Sequence, residues 1–156
     1  METLRLYTIL ALILTTALAL SKPQKELVIA NIRQLSASDA IAKDLTAIAF
    51  IESSFNPEAL GKAKEKGLFQ FHPKYFKIRD NSIKGQVKLA IVHYNWLKKT
   101  CPKVKIALSW NLGCFGAAKI KKPLEFGYYV KFRKERQALL LSNSWGPVAD
   151  ISSSSN

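Results

Sequence analysis

Apolar side chains in the middle of the chain recur at three- and four-residue intervals, the spacing that places them on one face of an α-helix. The first such run follows Ser36, which together with Asp39 resembles a capping box. The run must end by Asn56, because a residue that precedes proline avoids helical backbone angles. The pattern therefore predicts a helix whose inner face carries Ile41, Leu45, Ile48 and Ala49.

Further helices are predicted downstream by the same spacing. Ser82 is a suitable cap for a long helix that Pro102 stops, and shorter helical patterns cover residues 104–111 and 124–141. Strand signals are weak, and residues 67–71 are the only candidate. The chain is therefore predicted to form a single, mainly α domain of about five helices with a small β element or loop. The inner face of the long helix is predicted to carry Val87, Ala90, Ile91, Tyr94 and Leu97.

The two ends of the chain differ from this middle part. Arg5 precedes an apolar stretch over residues 6–20, and Ala-Leu-Ala at 17–19 offers a small-x-small cleavage site. These features predict a secretory signal peptide, with an uncleaved signal anchor as the alternative. The predicted organisation is a signal peptide at 1–19, an N-terminal linker at 20–35, the helical domain at 36–141 and a flexible tail at 142–156.

The charge balance narrows the class of partner. The chain has 24 Lys and Arg residues against 11 Asp and Glu residues, a formal net charge of +13. Such a chain favours a polyanion, which could be nucleic acid, an acidic membrane surface or an anionic cell-wall polymer. Charge alone does not choose among them.

Cysteine and histidine are scarce. Cys101 and Cys114 are the two cysteines, and in an exported chain an even, small number predicts one disulfide. Two unpaired, buried thiols are the alternative. The cysteines with His72 and His93 form no recognisable zinc pattern, so we expect no metal site.

Glu52 does not fit the apolar face on which it lies. It follows Ile48 by four residues and Leu45 by seven, so its carboxyl group is predicted to face the core at the end of the first helix. Desolvation and the helix dipole would both raise the pKa of this carboxyl, as a general acid requires. The alternative is a glutamate paired with one of the many lysines.

The neighbours of Glu52 carry a family resemblance. Glu-Ser-Ser-Phe-Asn-Pro-Glu-Ala at 52–59 precedes Gly-Leu-Phe-Gln at 67–70. This resembles the soluble lytic transglycosylase family, in which a Glu-Ser pair and Phe-Asn-Pro-x-Ala precede Gly-Leu-Met-Gln at the same separation. In the family's order, Trp-Asn-Leu-Gly at 110–113 looks like its aromatic-Asn-Ala-Gly motif, and Glu125 with Tyr129-Val130 is similar to its Glu-x-x-x-Tyr-Val segment.

The resemblance covers about residues 44–134 and has local departures. Phe69 replaces the family's usual methionine. The family's small residues before the Gly-Leu-Met-Gln turn are replaced by Lys64, Glu65 and Lys66, and its usual turn after the third motif is replaced by Cys114 and Phe115.

The resemblance implies a lysozyme-like fold and a reaction that needs one carboxyl group and no cofactor. Glu52 would protonate the glycosidic oxygen between N-acetylmuramic acid and N-acetylglucosamine, and the product would be a 1,6-anhydro sugar. Ser53 would form a hydrogen bond near the acid, Gln70 and Asn111 would hold sugar groups, and Tyr129 would orient Glu52. Three aromatic side chains could stack on sugar faces: Phe69, Trp110 and Tyr128.

Other carboxylates and other functions stay open at this point. We expect Asp39, Asp44, Glu58 and Glu65 to lie at the solvated surface. A hydrolytic lysozyme on the same fold is one alternative, and a non-enzymatic basic module that binds DNA or membrane is a more distant one. The expected protein is a monomer without a specific nucleic acid partner, exported to the periplasm or cell envelope. It would act on peptidoglycan glycan strands and could serve a secretion, conjugation, pilus or phage apparatus.

Overall fold

The computed structural model describes residues 24–142 and Trp145, so the predicted signal peptide lies outside the described part. Residues 24–35 are helical and form α1, in which Val28 and Ile32 are fully buried. The predicted linker over 20–35 therefore does not hold for residues 24–35. Their apolar residues pack into the same core as the rest of the domain.

Helix α2, Asp39–Ser53, is the central element of the domain. Its cap is Ser38, whose hydroxyl accepts a hydrogen bond from the Ile41 N–H at 3.3 Å, and not the predicted Ser36. The helix ends at Ser54, which adopts a left-handed conformation with φ 52°. Much of the helix is buried, and its buried apolar residues are Ala42, Leu45, Ala47, Ile48 and Ala49.

The remaining helices follow the predicted order. Helix α3, Ile83–Thr100, begins at the predicted cap Ser82 and ends at Cys101. Helix α4, Ile106–Ala118, extends beyond the predicted range of 104–111. It does so across a kink at Gly113, where φ is 67°. A short 3-10 helix, Pro123–Glu125, leads into helix α5, Gly127–Leu141.

The segment between α2 and α3 contains no extended strand. Of the strand candidate at residues 67–71, residues 67–70 form a turn that the Lys66–Phe71 bridge closes. Gly67 and Gln70 both have positive φ, which a strand cannot accommodate. Within the described residues the small β element is thus reduced to two isolated bridges, and the prediction of a mainly helical domain is confirmed.

The packing of the helices brings distant segments together. Helix α2 packs against α5, and α3 packs against α4. A disulfide joins Cys101 at the end of α3 to Cys114 in α4, with the two Cα atoms 5.6 Å apart, as predicted from the cysteine count. In the described part of the chain, no helix is both long and apolar enough to cross a membrane.

Two residues outside the predicted core contribute to the packing. Asp44, expected at the surface, is 8% exposed and lies under α5. Trp145 belongs to the predicted tail at 142–156, in which the structure describes residues 142 and 145. Its indole N–H donates a hydrogen bond to Asp39 at 3.1 Å, so this part of the predicted tail packs on the first turn of α2.

Candidate active site

The last turn of α2 presents Glu52 to a polar cavity of about 300 Å³. Residues from three separate parts of the chain form its walls: the end of α2, the segment before α3 and the first half of α4. The cavity brings together five of the predicted site residues and three residues that were not predicted to belong to the site. Its lining consists of Glu52, Gly61, Lys62, Glu65, Phe69, Gln70, Trp110 and Asn111.

The carboxyl group of Glu52 is partly buried, and its pKa is raised above the usual value. Desolvation is the main cause, because burial disfavours the charged form. A hydrogen bond from Tyr128 acts in the opposite direction and lowers the pKa, whereas the nearby charge of Glu65 raises it. A raised carboxyl pKa is what a general acid that works near neutral pH requires.

Tyr128 contacts the carboxyl group of Glu52 directly. Its hydroxyl donates a hydrogen bond to Glu52 Oε1 at 2.6 Å. From its motif, Tyr129 was expected to make this contact, but the Tyr129 ring stacks on Phe132 instead, with ring centroids 6.1 Å apart. Neighbouring residues on a helix point about 100° apart. The rotation of α5 against α2 therefore decides which tyrosine reaches Glu52.

Ser53 is directed at the protein backbone. Its hydroxyl lies 3.0 Å from the carbonyl oxygens of both Ala49 and Leu68. The contact to Leu68 ties the end of α2 to the turn at residues 67–70. In the structure Ser53 thus positions the cavity wall beside the acid.

The side chain of Gln86, which is 4% exposed, binds the backbone of the turn at residues 67–70. Gln86 accepts a hydrogen bond from the Leu68 N–H at 2.8 Å and donates one to the Pro57 carbonyl at 3.1 Å. A Cβ on Gly67 would lie 2.1 Å from Gln86 Oε1, so only glycine fits there. Gln86 was not predicted as a site residue, because its only signal in the sequence is a polar residue beside the apolar face of α3.

Gln70 and Glu65 lie next to each other on the cavity wall. Gln70 donates from Nε2 to the Gly67 carbonyl at 2.9 Å, which fixes its amide plane. Glu65 Oε2 accepts the Ala63 N–H at 2.9 Å. A Cβ on Gly61 would lie 2.3 Å from Glu65 Oε2 and 2.5 Å from Gln70 Oε1, so Gly61 leaves room for both groups.

The position of Glu65 differs from the expectation of a solvated surface residue. It is half-buried, and it lies close enough to Glu52 to affect its pKa. The sequence contained one signal for it, a carboxylate where the resembled family carries a small residue.

The aromatic residues that line the cavity are largely buried in the protein. Phe69 is 1% exposed, so it belongs to the core. Trp110 is half-buried, with its ring 5.9 Å from Phe69 and 4.9 Å from His93. Burial lowers the pKa of His93 to about 4, which keeps this ring neutral under ordinary conditions. Asn111 is exposed at the rim, on α4.

A mainly helical domain with a partly buried carboxyl acid beside a polar cavity is the class of protein that the fold and the site define. The family model "Transglycosylase SLT domain" matches residues 31–90, which confirms the resemblance over that part of the chain. The match contains Glu52, Ser53 and Gln70, but not α4 or α5. Searches of curated proteins and of solved structures found no significant match.

The family match also bears on the substrate. A transglycosylase SLT domain implies lytic transglycosylation of peptidoglycan.

In the described residues, no group of three or more His, Cys, Asp or Glu side chains is placed to hold a metal ion.

Proposed function

We propose that the protein is a lytic transglycosylase that cleaves the β-1,4 bond between N-acetylmuramic acid and N-acetylglucosamine, with Glu52 as its acid and base. The observation that carries this proposal is the site of Glu52 itself. Its carboxyl group faces a polar cavity, its pKa is raised by burial, and Tyr128 holds one of its oxygens at 2.6 Å. The SLT match over residues 31–90 supplies the substrate class.

The reaction needs two proton transfers at one carboxyl group. The protonated Glu52 gives its proton to the glycosidic oxygen, the bond from muramyl C1 to that oxygen breaks, and N-acetylglucosamine leaves with a free hydroxyl. The resulting carboxylate then takes the proton of the muramyl C6 hydroxyl, whose oxygen bonds to C1. The 1,6-anhydro ring is closed, and Glu52 is protonated again. Tyr128 stabilises the carboxylate that exists between the two transfers.

The other cavity residues would bind the sugars. Gln70, with its amide fixed by the Gly67 carbonyl, and Asn111, at the rim on α4, both line the cavity and could each bind an N-acetyl or hydroxyl group. Ser53 would act indirectly, by holding the turn that carries Gln70.

A second candidate, a hydrolytic lysozyme, is favoured by one observation. Glu65 places a second carboxylate on the wall of the cavity that contains Glu52. Some glycosidases use such a second carboxylate to activate a water molecule, which would attack C1 in place of the C6 hydroxyl. The product would then carry a reducing end.

The location is part of the proposal. The predicted signal peptide and the disulfide between Cys101 and Cys114 both suit an exported protein, in the periplasm or cell envelope.

The experiment is digestion of purified sacculi by the mature protein, followed by mass spectrometry of the released fragments. Anhydro ends support the transglycosylase, and reducing ends support the lysozyme. Glu52→Gln should lower the rate by at least about 100-fold, because the amide cannot transfer the proton. Glu58→Gln is the matched control, since Glu58 is an exposed glutamate that does not line the cavity with Glu52. A Glu52→Gln protein that cleaves at the control's rate would contradict the assignment.

A further inference from the structure

A second cavity, of about 530 Å³, lies between α2, α4 and α5 and shares no lining residue with the cavity that contains Glu52. Its α2 residue, Asp44, precedes Glu52 by eight residues, a distance of about 12 Å along a helix. Three basic side chains line this second cavity: Lys105, Arg133 and Arg136.

Arg136 is held in place by a buried network. Its guanidinium Nε donates to Asp44 Oδ1, and the hydroxyl of Tyr94 donates to Asp44 Oδ2 at 2.7 Å. Asp44 and Tyr94 are 8% and 4% exposed, respectively. A buried ion pair contributes little net stability, because desolvation offsets the attraction. The clearer effect of this network is to fix one edge of the guanidinium at the wall of the cavity.

The charge of the cavity is positive. Asp44 is the only acidic residue in the lining, and its charge is balanced by Arg136. Lys105 and Arg133 form no ion pair with any residue that the structure describes. Lys105 is also the N-cap residue of α4, and its side chain makes no capping hydrogen bond. The positive end of the helix dipole therefore adds to the positive electrostatic potential of the cavity.

The walls between the charges are apolar. Ile106 and Leu140 line the same cavity, and Leu140 is 55% exposed. A site of this kind suits an anion with a short aliphatic group next to it, because guanidinium groups bind planar anions and the walls cover the alkyl part.

We propose that this second cavity binds the carboxylate end of a short aliphatic peptide, and that in the cell this ligand is a peptide stem of the wall polymer. The source of the ligand rests on the proposed function, whereas the chemistry of the cavity does not. Binding here would hold the enzyme on the wall while the cavity of Glu52 receives a glycan strand.

The first test measures binding of the mature protein to sacculi, with Glu52→Gln present in every variant so that the sacculi stay intact. Lys105→Gln/Arg133→Gln removes two charges from the cavity. Lys131→Gln/Lys134→Gln removes two exposed charges from α5 that do not line it. We expect the first pair to raise the Kd about tenfold and the second at most about twofold, since each lost charge-assisted hydrogen bond weakens binding.

Carbodiimide amidation of the sacculi should abolish the difference between the two pairs, because it removes the carboxylates. Equal losses from both pairs on native sacculi would overturn the site and leave only diffuse attraction. A difference that persists after amidation would show that carboxylates are not the ligand, and would also overturn it.

The second test does not depend on the enzyme being a transglycosylase. The mature protein, without the Glu52 substitution, is titrated with N-acetyl-alanyl-alanine, with its C-terminal amide and with inorganic phosphate, and backbone amide shifts are followed by NMR. Saturable shifts around Lys105 and Arg133 with the free acid, and none with the amide, support the proposal even if no cleavage of sacculi is found. Shifts with phosphate alone would assign the cavity to phosphate-bearing ligands, and no shifts with any probe would overturn it.

Discussion

Removal of the Tyr128 hydroxyl tests the local geometry of the candidate active site. Tyr128→Phe deletes one oxygen atom, the donor of the 2.6 Å hydrogen bond to Glu52, and leaves the ring in place. This bond is strongest when Glu52 is ionised, which is the state that forms as the proton moves to the glycosidic oxygen. The substitution should therefore raise the barrier of the bond-breaking step while leaving the fold intact.

The magnitude follows from the type of hydrogen bond. A hydrogen bond to a charged group contributes about 1.5–3 kcal/mol, and the partial exposure of Glu52 places this one in the lower half of that range. A loss of about 1.5–2 kcal/mol corresponds to a rate about 10- to 30-fold lower. Since Tyr128 lowers the pKa of Glu52, its removal should also raise that pKa. The loss of activity at alkaline pH should then occur at higher pH.

The assay is the initial rate of release of soluble fragments from sacculi over a pH series. Tyr129→Phe is the matched control, because the Tyr129 ring stacks on Phe132 and makes no hydrogen bond to Glu52 in the structure. We expect the control to stay within about twofold of the parent, as is usual for a change remote from the reacting group. A slow Tyr129→Phe with a normal Tyr128→Phe would refute the assigned rotation of α5. A shift of the alkaline limb to lower pH would refute the electrostatic reasoning.

Two further predictions concern a second carboxylate and the disulfide. Glu65→Gln removes a like charge that raises the pKa of Glu52, so the alkaline limb of the pH–rate profile should move to lower pH, opposite to the effect of Tyr128→Phe. The control Glu58→Gln should leave the limb unchanged. A shift to higher pH in Glu65→Gln would contradict the assigned effect of Glu65 on Glu52. The double substitution Cys101→Ser/Cys114→Ser opens a loop with a sequence separation of 13 and should cost about 3 kcal/mol. Thermal unfolding should show a Tm roughly 10 °C lower than the parent, and an unchanged Tm would argue that the bridge adds no stability.

The helices were largely predictable because their signals are local. Ser82 caps α3 as its sequence position indicates, since a serine side chain meets the N–H groups of its own first turn. The burial of Ile48 and Leu45 follows from the period of 3.6 residues, as does the direction of Glu52 at the end of the same face. An even cysteine count in a chain with a predicted export signal was enough to predict the bridge from Cys101 to Cys114.

Features that depend on long-range packing were not predictable in this way. The mixed composition of residues 20–35, with Pro23 near its start, suggested a linker, but Val28 and Ile32 become core residues because they pack against apolar residues of the other helices. The same limit applies to Asp44, whose burial depends on Tyr94 and Arg136, respectively 50 and 92 residues away in the chain.

By itself, the sequence determined that the protein is mainly helical and that Glu52 places a carboxyl group on an otherwise apolar helix face. Only the tertiary structure decided what surrounds that group. The rotation of α5 about its axis selects Tyr128 over Tyr129, and the path of the segment before α3 brings Glu65 to the cavity wall. Local periodicity fixes which residues share a face of one helix, but the contacts between faces arise from side-chain packing across the whole domain.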